Sequence, residues 1–510
     1  MLAHHHCTFG AHLYLNLKND ALLENTGALT QPSAVIAVLP FSSVISEDAS
    51  VGARFTNEIS DRLAKHADLY VVPSQATYSL FLASLVPVKK QKELEADHIV
   101  SGEISGDESS YALKLKMLGP NQEVVLGEEF LFGVDAESQI GAQRRISQRI
   151  SKVLGTTHAG TEYCEPSNNI EAMVLYHSAK LKLDQKGVKN LADAESLLLR
   201  AIELDPGYGH AYSALSIAYL LQSRWKPEYR GDLWVEIARK ALDRCATLGV
   251  AYKIWVPSYE EVKNNWIDQE IQWRDALAIS PSDLWLLDNY SLNLGPLGMG
   301  TLQDIIFERA NRINPIGPRV LVSKAWHALL VESDIEKALQ LAEQIESEGE
   351  RSCNVANLRL FAALSISEEA AIEAWEAFQL TECSGGGVRM QYEKLGPELI
   401  YLSRHNPSAR RKLLDYMRDG LEDNPNMVMI NGVNLSDLTL AFDAIEFGMA
   451  NDRYIHMPLW WMDNSESTLF RRDVRFAKLV QRMDFPDYWR EFGWPDGKCT
   501  PLGDSFVWDN

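Results

Sequence analysis

The residue types best suited to chemistry sit at the amino end, where His4, His5, His6 and Cys7 are adjacent and His12 follows. Imidazole and thiolate suit zinc, copper or nickel. Neighbouring histidines on one chain do not readily converge on a tetrahedral ion, however, and the spacing matches no structural zinc site. The cluster reads as a chain terminus, and neither a metal nor a cofactor is expected. Gly385-Gly386-Gly387 lacks the Lys and Ser or Thr that complete a phosphate cradle. G-x-S-x-G, H-E-x-x-H and G-x-G-x-x-G are absent as well. Carboxylates are plentiful, but no spacing isolates a pair whose surroundings would drive their pKa values apart. The expectation is a protein without catalytic activity.

Binding chemistry has more candidates. Trp225, Trp234, Trp255, Trp266, Trp273 and Trp285 could line a groove in which aromatic anchors dominate binding energy. Aromatic residues at helical spacing more often form core, and that is the reading adopted for this group. Tyr212, Tyr219, Trp285 and Trp326 are the candidates for a partner-facing surface. Tyr488, Trp489 and Trp494 read as a seal over the last helices. Arg410-Arg411-Lys412 and Arg471-Arg472 read as solvated helix faces or helix-end charges, too small for a nucleic-acid surface.

The elements that must position these residues fall into two regimes. Ala34 to Leu39 is an apolar run stopped by Pro40, the pattern of a strand buried in a parallel or mixed sheet. Val51, Phe55, Ile59 and Leu63 recur every four residues and predict a helix stripe. Leu69 to Val72 and His98 to Ser101 predict further strands. Tyr111 to Leu118 and Val124 to Phe132 flank Gly119-Pro120-Asn121 as a hairpin. Gln139 to Leu154 returns to helical spacing. This order describes a small α/β or α+β domain over 34–155, after an irregular lead-in at 1–33.

From about residue 168 the strand-like alternation disappears. Ala194, Leu198, Ala201 and Pro206 share their offsets with Gln269, Trp273, Ala276 and Pro281, and with Gln303, Phe307, Ala310 and Pro315. Pro281 and Pro315 are 34 residues apart, the tetratricopeptide period. Ala241 supplies a degenerate unit, so Ala201, Ala241, Ala276 and Ala310 are separated by 40, 35 and 34 residues. Alanine at these positions lets paired helices approach closely, and the proline ring cannot continue a helix. Weaker helical patterns cover Lys337 to Gln344, Ala363 to Phe378, Ser408 to Leu421 and Leu435 to Met449. The repeats are expected over 168–483, as an all-α helical solenoid, with a closing tail at 484–510.

Size and charge agree. A chain of 510 residues exceeds one compact core, and 46% hydrophobic with 23% charged residues is ordinary for a globular protein. A net charge of -21 disfavours nucleic acid and anionic lipid. No run approaches the roughly 18 apolar residues of a membrane span, and the start does not look like a secretory signal. Six scattered cysteines without a C-x-x-C pair argue against a disulfide framework, so a cytoplasmic, reducing compartment is expected.

Ile36-Ala37-Val38-Leu39-Pro40-Phe41 resembles the opening of the TolB-like amino-terminal domain, and the likeness runs on through Asp97 to Ser105. Leu469 to Phe476, Tyr488-Trp489 and Gly493-Trp494-Pro495 resemble the closing segment of bacterial proteins that join this domain to tetratricopeptide repeats. Such proteins often carry a winged-helix DNA-binding domain or a nucleotide-cyclase domain ahead of it. About 32 residues precede the first strand, too few for either. The resemblance therefore implies the sensor and scaffold half of a regulator, without its output domain. The function expected is a regulatory adaptor or scaffold that binds a protein or peptide through its repeats. The α/β domain is expected to sense a ligand or to mediate pairing, and a homodimer is a further expectation. A transcriptional regulator that lacks or borrows its DNA-binding domain, and an adenylate-cyclase-related signalling protein, are the alternatives.

Overall fold

The computed structural model describes residues 34–45, 50–66, 68–74, 76–78, 91–156, 163–185, 188–223, 233–248, 265–330, 334–347, 353–381, 396–451, 453, 455, 457–462, 464–495, 497–502 and 505–508. A small mixed sheet comes first and many helices follow. By internal contact the chain divides into two compact units, Met1–Tyr290 with Glu308–Pro315, and Ser291–Phe307 with Ile316–Asn510.

In the first unit, strand β1 (Ala34–Val38) lies parallel between β3 (Leu69–Val71) and β4 (His98–Gly106). The antiparallel strands β5 (Ser110–Leu118) and β6 (Val124–Gly133) extend the sheet, and the two-residue β2 (Ser42–Ser43) pairs with β4. Buried on both faces, β1 has the apolar run of a central parallel strand. Helix α1 (Val51–Leu63) packs its predicted stripe on the sheet, with Val51, Phe55, Ile59 and Leu63 all fully buried. Helix α2 (Ala136–Leu154) adds Ala142, Ile146 and Ile150 to the same core. Its ends follow from local chemistry: the Asp135 carboxylate accepts from Ser138 N at 2.8 Å, and Gly155 at φ 69° turns the chain out.

Helices α3 (Ile170–Gln185), α4 (Val188–Leu204), α5 (Gly209–Gln222) and α6 (Leu233–Arg244) then pack pairwise in sequence, and α7 (Trp266–Ile279) follows. Next come α8 (Leu284–Leu294) and α9 (Gly300–Ile313), joined through a 3-10 turn at Gly295–Leu297. The proline signatures act alike. Helices α4, α7 and α9 end two residues before Pro206, Pro281 and Pro315. The next helices, at Gly209, Leu284 and Pro318, begin three residues after them. Ala194, Ala201, Ala241 and Ala276 are fully buried, and Ala310 nearly so.

The second unit contains α10 (Pro318–Leu330), α11 (Ile335–Ser347), α12 (Cys353–Ala363) and α13 (Glu368–Gln379). After these come α14 (Pro397–Leu402), α15 (Pro407–Asp419), α16 (Pro425–Asn434) and α17 (Leu438–Ala450). Two weaker sequence expectations change here. The hairpin pattern expected over Ala363 to Phe378 is helical only from Glu368: Ala363 ends α12, and Ser367 caps α13 by accepting from Ala370 N at 3.1 Å. The pattern at Leu435 to Met449 begins only at Leu438, capped by Asp437.

The closing region is more structured than a tail. Helices α18 (Ser465–Arg472), α19 (Val474–Arg482) and α20 (Phe485–Phe492) lead to a hairpin of β7 (Cys499–Leu502) and β8 (Ser505–Trp508). Trp489 is fully buried and its Nε1 donates to Leu297 O at 2.9 Å, while Trp461 Nε1 donates to Pro296 O at 2.8 Å. Arg471, read as a solvated helix face or a helix-end charge, stands in the last turn of α18 but is buried. Its guanidinium holds Trp460 O at 2.6 Å, within a 3-10 turn at Met457–Trp461, and Met462 O at 3.1 Å just after it. Apolar spacing could not reveal that this arginine serves as an internal cap.

Candidate functional site

The aromatic candidates separate on inspection of their surroundings. Tyr219 is buried in the α3–α6 core, so it is not partner-facing; its neighbours Ala218 and Leu215 belong to the same packed surface. Tyr212 is half-buried and already engaged: the Arg244 guanidinium stacks over its ring at 3.8 Å and donates to its hydroxyl at 3.0 Å. Trp326 is half-buried, edge-on to Phe361 at 5.6 Å, and Trp285 is also half-buried. Trp266 and Trp273 are core, the latter stacked on Tyr290 at 5.9 Å, and Trp234 is half-buried against the α3–α6 core. Trp225, Trp255, Gly385-Gly386-Gly387 and the histidines at 4–6 and 12 with Cys7 lie outside the described residues. Among the described residues no group of three His, Cys, Asp or Glu is placed to hold a metal ion, and no helix is long and apolar enough to cross a membrane.

A dense constellation of ionisable groups among the described residues was not singled out by sequence. It lies in the first unit, where α1 meets the connector 163–169 and helices α3 and α5. Arg62 reaches Glu165 through its terminal nitrogens and stacks on the Tyr163 ring at 4.1 Å, and Arg144 donates to the same carboxylate at 2.7 Å. Tyr163 donates to Glu58 Oε1 at 2.9 Å. Arg62 Nε stands 2.9 Å from Glu58 Oε1, yet forms no aligned hydrogen bond there. Asn57 approaches His177 Nδ1 at 3.5 Å, and Lys180 pairs with Asp61 at 3.3 Å.

Burial sets the electrostatics of this cluster. Removal from water pushes the Glu58 carboxyl up to about 7, against the attraction of Arg62. Glu165, one arginine away, goes the other way. Burial opposes its charge, but hydrogen bonds from Arg62 and Arg144 hold it below the usual carboxylate range. His177 is pushed down to about 3 by burial and then by Lys180, so its imidazole is neutral at neutral pH. Burial also lowers His210 to about 4 and raises Tyr176 to about 12. Two carboxylates with opposed shifts are thus present, and fold-back of α1 onto a segment about 100 residues away brings them together. No local spacing encodes that.

Around the cluster the contacts between sheet and helices are polar. Lys65 Nζ donates to Thr247 O and Ile279 O, each at 3.3 Å, and to Ser280 Oγ at 2.9 Å. It thereby places a cation just beyond α6 and at the end of α7, where helix dipoles favour one. Ser282 closes the open edge of β3, accepting from Val71 N at 3.2 Å and donating to Leu69 O at 3.1 Å. Cys164 and Cys245, 81 positions apart in sequence, form a disulfide with Cα atoms 6.0 Å apart. That differs from the expected set of free thiols: local spacing gave no sign of two cysteines joined by the packing of the connector on α6.

The chain matches no protein-family model and no curated protein.

Proposed function

We propose that the protein is a non-catalytic regulatory adaptor whose stacked helix pairs, continuing as a solenoid, hold a protein or peptide segment. The α/β domain serves as the sensing or pairing module. One observation carries the reading: three proline signatures in separate stretches produce the same helix stop, the same restart and the same buried alanine. Units that each leave a hydrophobic face for a neighbour build an extended binding surface without chemistry of their own. Trp285 in the first unit and Trp326 in the second are each half-buried aromatic positions at which a bound segment would anchor.

The test is capture from native extract on the immobilised full chain, with quantitation against Trp326→Ala and Trp285→Ala variants of unchanged helicity. A saturable protein partner whose recovery falls at least tenfold with either variant is the expected result. Recovery of nothing saturable, or recovery indifferent to both substitutions, counts against the adaptor reading.

A further inference from the structure

The hydrophobic cores on the two sides of the seam in the first unit do not merge. The sheet core draws on residues between Ala34 and Leu154, while the helical cores take in Ala136, Cys164 and residues from 170 onward. Apart from Ala136 of α2, which packs into the helical core, the contacts that join the sides are polar: Arg62 with Glu165, Asp61 with Lys180, Asn57 with His177, Lys65 with two helix ends, and Ser282 with β3. Such contacts exchange water for protein partners at little net gain. A seam of this kind closes or opens on small free-energy differences.

The disulfide sits at that seam. Cys164 is flanked by Tyr163 and Glu165, the two connector residues that hold Glu58 and Arg62 of α1. Cys245 directly follows α6, and two residues on is Thr247, whose carbonyl accepts from Lys65. The bond therefore pins both anchoring points of α1, the connector and the α6 terminus, to each other. Cys164 is buried whereas Cys245 is partly exposed. The Thr247 hydroxyl lies 3.2 Å from Cys164 Sγ and 3.3 Å from Cys245 Sγ.

We propose that the Cys164–Cys245 bond is a reducible latch, opened by a dithiol reductant, that holds the α/β domain on helices α3 and α5. The reductant's first thiolate attacks Sγ of Cys245, the less buried of the two residues. A new sulfur–sulfur bond forms there, the Cys164–Cys245 bond breaks, and its electron pair leaves on Cys164, which takes up a proton. The Thr247 hydroxyl is placed to donate to that leaving thiolate. The reductant's second thiol, once deprotonated, then displaces Cys245 as a thiol and closes the reductant's own disulfide. Two electrons and two protons pass to the protein. With the connector freed, Tyr163 and Glu165 release α1, and the face of α3 and α5 around Tyr176, His177 and His210 opens to solvent. The inference goes beyond the adaptor reading and does not need it, because the latch acts whatever the helices bind.

The experiment uses the full chain purified without reductant, before and after treatment with dithiothreitol. Thiols are mapped by alkylation, and backbone motion is followed by hydrogen–deuterium exchange. The expected result is two new alkylation sites, Cys164 and Cys245, with exchange in Val51–Leu63 and 163–185 rising about tenfold on reduction. A Cys164→Ser, Cys245→Ser double variant exchanges like the reduced protein whether or not dithiol is present, and Thr247→Val slows reduction several-fold. The wild-type comparison stands even if the double variant fails to fold. Alkylation of both cysteines without reductant overturns the proposal, as does reduction that leaves exchange at α1 and α3 unchanged. Reduction of Thr247→Val at the wild-type rate overturns the assignment of the leaving group.

Discussion

Glu58→Gln probes the buried cluster most directly, because it removes a charge while keeping the shape and the acceptor for Tyr163. The native carboxyl is raised from 4.5 to about 7 by burial, with Arg62, Asp61, Tyr163 and Glu165 as its charged or titratable neighbours. The sign follows from proton uptake. Between pH 4.5 and 7 the native state keeps a proton that the unfolded state has lost, so wild-type stability falls as pH rises through that window and levels off above it. A shift of that size corresponds to about 3 kcal/mol at most, and to about 1 kcal/mol at pH 5.5, where only part of the transition has occurred. Glutamine is neutral throughout and escapes the loss. Urea unfolding of both proteins at pH 5.5 and pH 8.5 should show the variant gaining about 2 kcal/mol on wild type between the two. The value of about 7 already includes the pull of Arg62, whose terminal nitrogens engage Glu165 and whose Nε makes no aligned hydrogen bond to Glu58. A variant less stable than wild type at pH 8.5 would refute that, since it would mean the Glu58 carboxylate is a favourable partner rather than a burden.

Other perturbations follow from the same geometry. His177 is depressed from 6.5 to about 3, so its contribution is complete above pH 6.5 and is lost as pH falls towards 3; His177→Phe should flatten acid unfolding by about one proton, read from the pH dependence of the urea midpoint. Lys65→Met leaves two helix ends and Ser280 without their cation and should cost about 1–3 kcal/mol in thermal or urea unfolding. Ala276→Leu forces a branched side chain into a fully buried helix contact and should cost about 1–3 kcal/mol by the same assay. Gly298→Ala combines φ 72° with a Cβ that would stand 2.6 Å from the Trp461 ring, so a loss of more than about 1 kcal/mol is expected in the same measurement.

Where the sequence was readable, the signal was local. The four-residue recurrence of Val51 to Leu63 and the turn at Gly119-Pro120-Asn121 each specify one element, and both elements form as expected. Pro206, Pro281 and Pro315 stop helices through their own rings, so their effect is independent of tertiary context. The missed features all depend on distance along the chain. Glu58 becomes unusual because Tyr163 closes over it, Arg471 because a carbonyl in a 3-10 turn eleven residues upstream needs a donor, and Cys164 because α6 returns to it. Tyr219 failed as a surface candidate for a related reason: helical spacing tells which residues share a face, but not which neighbour covers that face.

The polar seam bears on regulation more than on stability. An apolar junction of the same extent would bind the sheet to the helices at about 25 cal/mol for each Å² covered, and nothing short of unfolding would part them. Ion pairs, a lysine on helix ends and a serine on a strand edge fix orientation just as firmly while contributing far less net free energy. A covalent tie across 81 residues then carries weight out of proportion to its size, since on a chain-entropy model closing a loop of that length stabilises the folded chain against unfolding by about 4.5 kcal/mol. Orientation by polar contacts and retention by one exchangeable bond is the division of labour that permits a domain to be held in place and still be released.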